Sequence, residues 1–399
     1  MSVVWSNLYS KLGSDLIPSP LTELMGFITS DVISFAGGLP HPKSFPVSEV
    51  QSVLEEIMRD QSAVALQYGS TQGYKPLIQW IANRSSDKGL PAGPENIIIT
   101  SGSQQALDLI SRILLDPDDE ILVESPTYLG ALGPFANQYA KFTEIPMDQD
   151  GVDTEAIERI LKDRAKEGKK VKFIYLIPTF QNPTGVTLSI KRRQEMARLA
   201  HEYNVFVIED DPYSELRYEG NPVPTIKSFD ATGHVIYLST FSKILSPGVR
   251  MGWIVAHPEI INKLTYLKES VDLHSSTLIQ LLVYEYCRKG YLEPHIRSIL
   301  PLYASRREAM LNALIKYAPD NVTWTTPDGG FFLWVTFPPH IDTKKLFPTA
   351  ASRGVAYVPG YAFYPDGKGL NSVRLSFSLA DEDQIDEGIR ILMEVVQEQ

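Results

Sequence analysis

Cysteine is almost absent from this chain. Cys287 is the only one in 399 residues, which excludes an intrachain disulfide and a thiolate metal cluster. No stretch approaches the ~18 uninterrupted apolar residues that a membrane helix needs, so no membrane partner is expected. Basic residues are in deficit: 37 Lys and Arg stand against 48 Asp and Glu, a net charge of -11. That balance disfavours nucleic acid or an anionic membrane, either of which selects for a basic face. It leaves a small anionic substrate open, because a few local arginines suffice to hold one. The opening Met1-Ser2-Val3-Val4-Trp5-Ser6 has no basic segment followed by an apolar core, so no export signal is read there and a cytoplasmic enzyme is the expectation. Internal repeats, low-complexity tracts and long charge blocks are missing as well. What remains is the composition of an ordinary globular protein, 43% apolar and 21% charged, too long for one small core.

Along the chain, short β-rich runs alternate with amphipathic stretches. Residues 96–100 (NIIIT), 120–124 (EILVE), 171–178 (VKFIYLIP), 205–210 (VFVIED), 235–240 (VIYLST) and 252–256 (GWIVA) read as strands. Helical patterns such as 103–115 and 190–203 lie between most of them. Near-continuous apolar strands separated by helices predict an α/β fold with a mainly parallel sheet covered on both faces. Past about 280 the order changes to long helices (276–288, 291–317), strands at 331–337 and 372–378, and a closing helix near 381–397. This predicts a smaller α+β domain. The expected division is an N-terminal arm over 1–45 belonging to the small domain, a large domain over 46–280 and the small domain over 281–399. Ligands of open parallel sheets gather where strands end, so the polar residues that follow each strand are the candidates for chemistry.

After 235–240 comes Ser239-Thr240-Phe241-Ser242-Lys243, with Arg250 seven residues on. A lysine buried near other cations has a lowered pKa and attacks an aldehyde as the free amine. Thr240, Ser242 and Arg250 suit a phosphate. A plain lysine at a helix start explains this segment equally well. After 171–178 comes Gln181-Asn182-Pro183-Thr184-Gly185, where Asn182 can donate to a phenolate oxygen; Asn-Pro-x-Gly is also a common turn. After 205–208 comes Glu209-Asp210-Asp211-Pro212-Tyr213. There Asp210 can pair with a protonated pyridine nitrogen, and Tyr213 can reach the same ring's phenolic oxygen. No histidine sits nearby at ligand spacing, so metal binding is the weaker reading and no metal is expected. Thr100-Ser101-Gly102-Ser103-Gln104-Gln105 runs from a strand through glycine into a helix, a natural anion site and also a common helix cap. Tyr128 can stack on a flat heterocycle or serve in the core. Arg374, alternating with Val373 and Leu375, suits a substrate carboxylate or a structural ion pair.

Taken in this order, these segments resemble the fold-type I pyridoxal-phosphate-dependent aminotransferases of class I/II, and within them the subgroup of 2-aminoadipate, kynurenine and aromatic-amino-acid aminotransferases. The likeness runs from about Ser34 to the C-terminus. It is carried by Phe35-Ala36-Gly37-Gly38-Leu39-Pro40, Gln67-Tyr68-Gly69, Ser101-Gly102-Ser103-Gln104-Gln105-Ala106-Leu107 and Gln181-Asn182-Pro183-Thr184-Gly185, and by Glu209-Asp210-Asp211-Pro212-Tyr213, Ser242-Lys243 with Arg250, and Val373-Arg374-Leu375-Ser376. The resemblance implies a seven-stranded type of large sheet and pyridoxal 5′-phosphate as cofactor. It implies Lys243 as the residue that joins the cofactor and moves the proton, and Asp210 on the ring nitrogen. Asn182 and Tyr213 would hold the phenolic oxygen, and Tyr128 the ring face. Ser103, Gln104, Thr240, Ser242 and Arg250 would hold the phosphate. Tyr68 would reach the phosphate bound by a neighbouring subunit, which requires a homodimer with active sites at the interface. Arg374, helped by Asn182, would clamp the substrate carboxylate, with Gly38 lining the pocket.

The reaction so implied is a ping-pong exchange of an amino group between an L-amino acid and a 2-oxo acid, with 2-oxoglutarate as acceptor. Members acting on 2-aminoadipate carry basic residues in the N-terminal helix, whereas Leu16-Ile17-Pro18-Ser19-Pro20-Leu21-Thr22-Glu23-Leu24 has none. That favours an aromatic or aliphatic donor, although Ser19 or a backbone group of the arm offers another contact. A β-lyase on the same scaffold would use the same lysine, aspartate and arginine. A sensor module of a transcription factor is the other rival; it would add a DNA-binding winged helix ahead of the fold, for which the segment before Phe35 is too short, and would not need Lys243.

Overall fold

The computed structural model describes residues 5–16, 18, 22 and 31–399. Most of the 16–24 segment, Ser19 included, lies outside the described residues.

The chain forms an α/β fold around one large sheet. Its strands, with a short N-terminal β1 (Ile33–Ser34) ahead of them, are β2 (Ile97–Thr100), β3 (Glu120–Ser125), β4 (Lys141–Asp148), β5 (Gly151–Val152), β6 (Val171–Leu176), β7 (Phe206–Asp211), β8 (Val235–Thr240) and β9 (Gly252–Val255). The order across the sheet is β2-β9-β8-β7-β6-β3-β4-β5. The run β8-β7-β6-β3-β4 is parallel, and β9 runs antiparallel between β8 and β2. Setting aside β5, a two-residue hairpin partner at the edge, seven strands remain. β2, β7, β8 and β9 are buried along most of their length on both faces, which accounts for their unbroken apolar sequence.

β4 escaped the sequence reading. Its KFTEIPMD mixes polar and apolar residues and is mostly part-exposed, because it lies near the sheet edge where only one face needs apolar cover. Elsewhere the elements shift by a residue or two at their ends, as fraying termini do.

One face of the sheet packs Ile208, Ile236, Leu238 and Ile254 against helices Ser103–Leu114 and Pro258–Asp272. The opposite face packs Ile97, Ile99, Tyr237 and Trp253 against helix Lys75–Asp87. A second, four-stranded antiparallel sheet has the order β10-β11-β14-β13, with β10 (Thr323–Trp324), β11 (Phe332–Thr336), β13 (Val358–Pro359) and β14 (Ser372–Ser376). β1 pairs in parallel with β12 (Val355–Ala356), so Phe35 and Ala36 join the core of this smaller unit. Helix Leu292–Tyr317 connects the two bodies. Ile299 and Tyr303 pack on the large-sheet core, Met310 and Leu314 on the small one.

The parallel strands all end on one edge. β2 points the same way as β8 because both are antiparallel to β9. Their carboxyl ends therefore deliver Thr100, Leu176, Asp211 and Thr240 to a common rim, which the small sheet covers from above through Phe332 and Arg374.

Candidate active site

A cavity of about 370 Å³ opens at that rim. Ser103, Gln104, Tyr128, Asn182, Asp210, Tyr213, Thr240, Ser242, Lys243 and Arg250 all line it. Residues spread over 148 positions of sequence meet here because each follows a strand that ends on the same edge.

One end is built for an anion. After β2 the chain turns through Gly102, whose φ of 78° is left-handed and so favours glycine. A side chain at Gly102 would also strike the Arg250 guanidinium, which lies against the turn and donates Nη2 to Ser101 O at 3.2 Å. The first amides of helix Ser103–Leu114 have no intrahelical acceptor, and the helix dipole adds partial positive charge there. Thr240 Oγ1 donates to Met251 O at 2.8 Å and takes the Ser242 amide at 3.1 Å, fixing the turn ahead of Lys243. Gln104 Nε2 donates to Gly130 O at 2.8 Å. Ser103 Oγ is buried and has no partner among the described residues.

Another part is built for a cationic ring atom. Asp210 Oδ2 accepts from the Tyr175 hydroxyl at 2.9 Å, while Oδ1 is buried with no partner among the described residues. Burial pushes this carboxyl up to about 7; the Tyr175 bond acts downward and Asp211 upward. The neighbouring acids face away. Glu209 accepts from the amides of Ile226 and Lys227, both at 2.8 Å, and Asp211 takes the Tyr237 hydroxyl at 3.0 Å. Period-2 alternation along β7 puts Asp210 alone on the cavity side.

Lys243 Nζ donates to Gly38 O at 2.8 Å and has no carboxylate partner among the described residues. Burial lowers its pKa to about 8, helped by the charges of Arg374 and Arg250. About a tenth of the amine is then free at pH 7, far more than for an ordinary lysine, and nucleophilic attack uses that form. Arg374 is buried, stacks over the rings of Phe332 (4.2 Å) and Phe363 (5.0 Å), and donates Nη1 to Asn182 Oδ1 at 2.9 Å. Its Nη2 donates to Ala36 O, and its Nε is unpartnered. Burial lowers its pKa to about 10, so it keeps its charge at neutral pH. Burial raises the hydroxyls of Tyr213 and Tyr128, keeping both protonated.

Gly38 and Arg374 thus adjoin the cavity through Lys243 and Asn182. Tyr68 does not reach it within one chain: it is 79% exposed, and its ring meets His274 edge-on at 5.8 Å. Tyr175 escaped the sequence reading. Its only signal was a phenol inside the otherwise apolar run of β6, and its contact with Asp210 depends on the pairing of β6 with β7.

An aromatic heterocycle carrying a phosphate on one side and a protonated nitrogen on another fits these residues. Ser103 Oγ offers a buried donor lacking an acceptor, Asp210 Oδ1 a buried acceptor lacking a donor, and both line the cavity that holds the Lys243 amine. Pyridoxal 5′-phosphate has that chemistry.

Residues 31–392 match the family described as aminotransferase class I and II. The chain is 46% identical over 400 aligned positions to the aromatic-amino-acid aminotransferase 1 of Thermococcus litoralis, covering 99% of this chain and 95% of that one. It is similar to the crystal structure of Pyrococcus horikoshii kynurenine aminotransferase in complex with PMP, with TM-score 0.96, 47% identity, and 99% and 98% of the two chains covered. It is also similar to the α-aminoadipate aminotransferase of Thermus thermophilus complexed with N-(5′-phosphopyridoxyl)-L-leucine, with TM-score 0.91, 37% identity and 99% of each chain covered.

Proposed function

The chain belongs to the class I and II aminotransferases and is a pyridoxal-phosphate-dependent aminotransferase, and from that premise we propose that it moves the amino group of an aromatic or aliphatic L-amino acid, or of a 2-aminoadipate-like one, to 2-oxoglutarate in a ping-pong cycle. The observation that carries the reading is the meeting of a part-buried Lys243 amine, with no carboxylate partner among the described residues, and a half-partnered Asp210 carboxylate on one cavity.

When bound, pyridoxal 5′-phosphate supplies an aldehyde carbon for amines and an electron-withdrawing ring. Asp210 would hold the ring nitrogen protonated as a carboxylate, the form that the Tyr175 hydroxyl favours against burial. Ser103, Gln104, Thr240, Ser242 and Arg250, which line the cavity, would hold the phosphate, Asn182 and Tyr213 the phenolic oxygen, and Tyr128 the ring face. Arg374 turns its guanidinium to the donor's α-carboxylate and so orients the α-hydrogen toward Lys243. The Lys243 amine would take the proton from that carbon and hold it for delivery to a different one, since return to the same carbon transfers no amino group, a task matched by a pKa of about 8. Gly38 gives the amine a resting acceptor and keeps the pocket open beside Phe332.

Arm residues 1–45 and the units 46–280 and 281–399 act as the parts of this device. The protein works in the cytoplasm as a homodimer. Exposed Val64, Leu66 and Tyr68 form a face suited to a second copy, from which Tyr68 reaches the other subunit's phosphate. Small amino and oxo acids are its partners, and its acidity argues against nucleic acid.

The test is a panel of phenylalanine, kynurenine, leucine, 2-aminoadipate and glutamate added singly to the cofactor-loaded enzyme. Aromatic and aliphatic donors are expected to discharge the visible absorbance of the bound cofactor and to leave pyridoxamine 5′-phosphate. Release of pyruvate from a β-substituted donor, with no pyridoxamine 5′-phosphate formed, would instead establish the lyase. No response to any donor would overturn the donor assignment.

A further inference from the structure

Behind the sheet lies a second cavity, of about 550 Å³, larger than the one at the rim. It opens between the face that carries Asp211, Tyr237 and Trp253 and helix Lys75–Asp87, which contributes Trp80 and Arg84. The catalytic machinery uses none of these residues.

Three donors of this cavity's lining side chains have no acceptor among the described residues. Trp253 Nε1 is buried without an acceptor, and so are Nε and Nη2 of Arg217. Nε and Nη2 form the edge of a guanidinium that takes both oxygens of a carboxylate side-on. The chain uses that edge in this way elsewhere: Arg84 holds Glu293 through Nε at 3.0 Å and Nη2 at 2.7 Å, and Arg164 holds Glu120 through Nε at 2.6 Å and Nη2 at 2.9 Å. Arg217 is held ready, its plane 4.6 Å over the Phe180 ring and its Nη1 donating to Glu219 O at 3.3 Å. Among the described residues its one acidic neighbour within ion-pair distance is Asp328, 3.9 Å from Nη1. The cavity's own acids are engaged elsewhere. Glu215 is held by Arg84 at 2.7 Å and by Lys88, and Asp211 takes the Tyr237 hydroxyl at 3.0 Å and the Ser214 amide at 3.1 Å. Neither is bonded to Arg217, and Trp80 and Trp253 supply flat wall, with Leu90 as further apolar lining.

We propose that this cavity is a second binding site, for a small carboxylic acid with a flat apolar body, whose carboxylate lies on the Nε/Nη2 edge of Arg217 and whose body lies against Trp80 and Trp253. The site adjoins the catalytic one through the covalent chain. Asp211 follows Asp210. Phe241, 6.5 Å from the Trp80 ring and 5.0 Å from that of Trp253, precedes Lys243 by two residues.

Calorimetric titration of the cofactor-loaded enzyme with cinnamate tests this. Two equivalents per chain are expected, one abolished by Arg374→Ala and the other weakened at least about tenfold by Arg217→Gln, the loss of a charged two-point contact. Arg217→Gln is expected to keep its turnover, which shows that its fold survives. Should it not fold, Trp253→Phe keeps the apolar wall, deletes only the N–H, and is expected to weaken the same equivalent about three- to tenfold. Crystals soaked in 4-bromocinnamate are expected to place bromine beside Trp80. A single equivalent that answers to Arg374 alone, a second equivalent indifferent to both Arg217→Gln and Trp253→Phe, or a cavity holding only ordered water would overturn the proposal.

Discussion

Tyr175 donates its hydroxyl to Asp210 Oδ2 at 2.9 Å, which leaves Oδ1 without a partner among the described residues. The bond orients Asp210 and stabilises its charged form against burial. Tyr175→Phe is therefore expected to raise the Asp210 pKa further, moving the acid limb of the pH profile of cofactor binding upward. We expect kcat/KM to fall about three- to tenfold, the range of one buried hydrogen bond. Steady-state kinetics and cofactor titrations across pH check both.

Asp210 also carries a pH-dependent cost to the fold. Its pKa near 7 lies above the ordinary 3.8, so the folded chain binds this proton more tightly than the unfolded chain. Its contribution to stability is therefore present below about pH 4 and is lost as pH rises through 7. In cofactor-free protein, Asp210→Asn is expected to melt a few degrees above wild type at pH 8, the gap closing toward pH 4. The same variant is expected to bind cofactor at least about 100-fold more weakly, the loss of a charge-assisted bond at a buried site. Scanning calorimetry and equilibrium dialysis read the two effects.

For Lys243 the direction is opposite. Burial lowers its pKa to about 8, so the amine is mostly charged below that pH and mostly free above it. Reductive methylation of Lys243 in cofactor-free protein, followed by mass spectrometry, is expected to quicken through pH 8. Arg374→Gln removes a charge that lowers this pKa and is expected to move the midpoint upward. Lys243→Ala is expected to cut kcat at least about 10³-fold and to end borohydride-trapped attachment of the cofactor.

Arg374 is stacked between Phe332 and Phe363 and bonded to Asn182. A lysine has neither the planar fork nor the stacking surface. Arg374→Lys is expected to lower kcat/KM for amino donors about 100-fold while the bound cofactor's spectrum stays near wild type. Titration with donor and with pyridoxal 5′-phosphate separates the two.

Gly38 leaves no room for a methyl group, because a Cβ there would enter the Phe332 ring. Gly38→Ala is expected to cost about 1–3 kcal/mol of stability and to disturb both the carbonyl that holds Lys243 and the ring under Arg374. Partial recovery of melting temperature in the Gly38→Ala, Phe332→Leu double variant checks the cause.

The strands that build the rim were readable because burial on both faces leaves an unbroken apolar run, and each run stops at the residues that carry chemistry: Thr100, Asp210 and Thr240. β4 was not readable, since near the sheet edge its half-polar sequence resembles a loop. Tyr68 was named from a likeness in sequence, and within one chain it stays on the surface.

By itself the sequence determined which side chains follow which strands, Asp210 and Asp211 among them. Strand pairing and domain packing decided the rest. Tyr175 meets Asp210 only because β6 lies beside β7, and Arg374 meets Asn182, 192 residues away, only because the small sheet closes over the large one. Burial then shifted the charges of Asp210, Lys243 and Arg374, because desolvation depends on what surrounds a group in space and not on its neighbours along the chain.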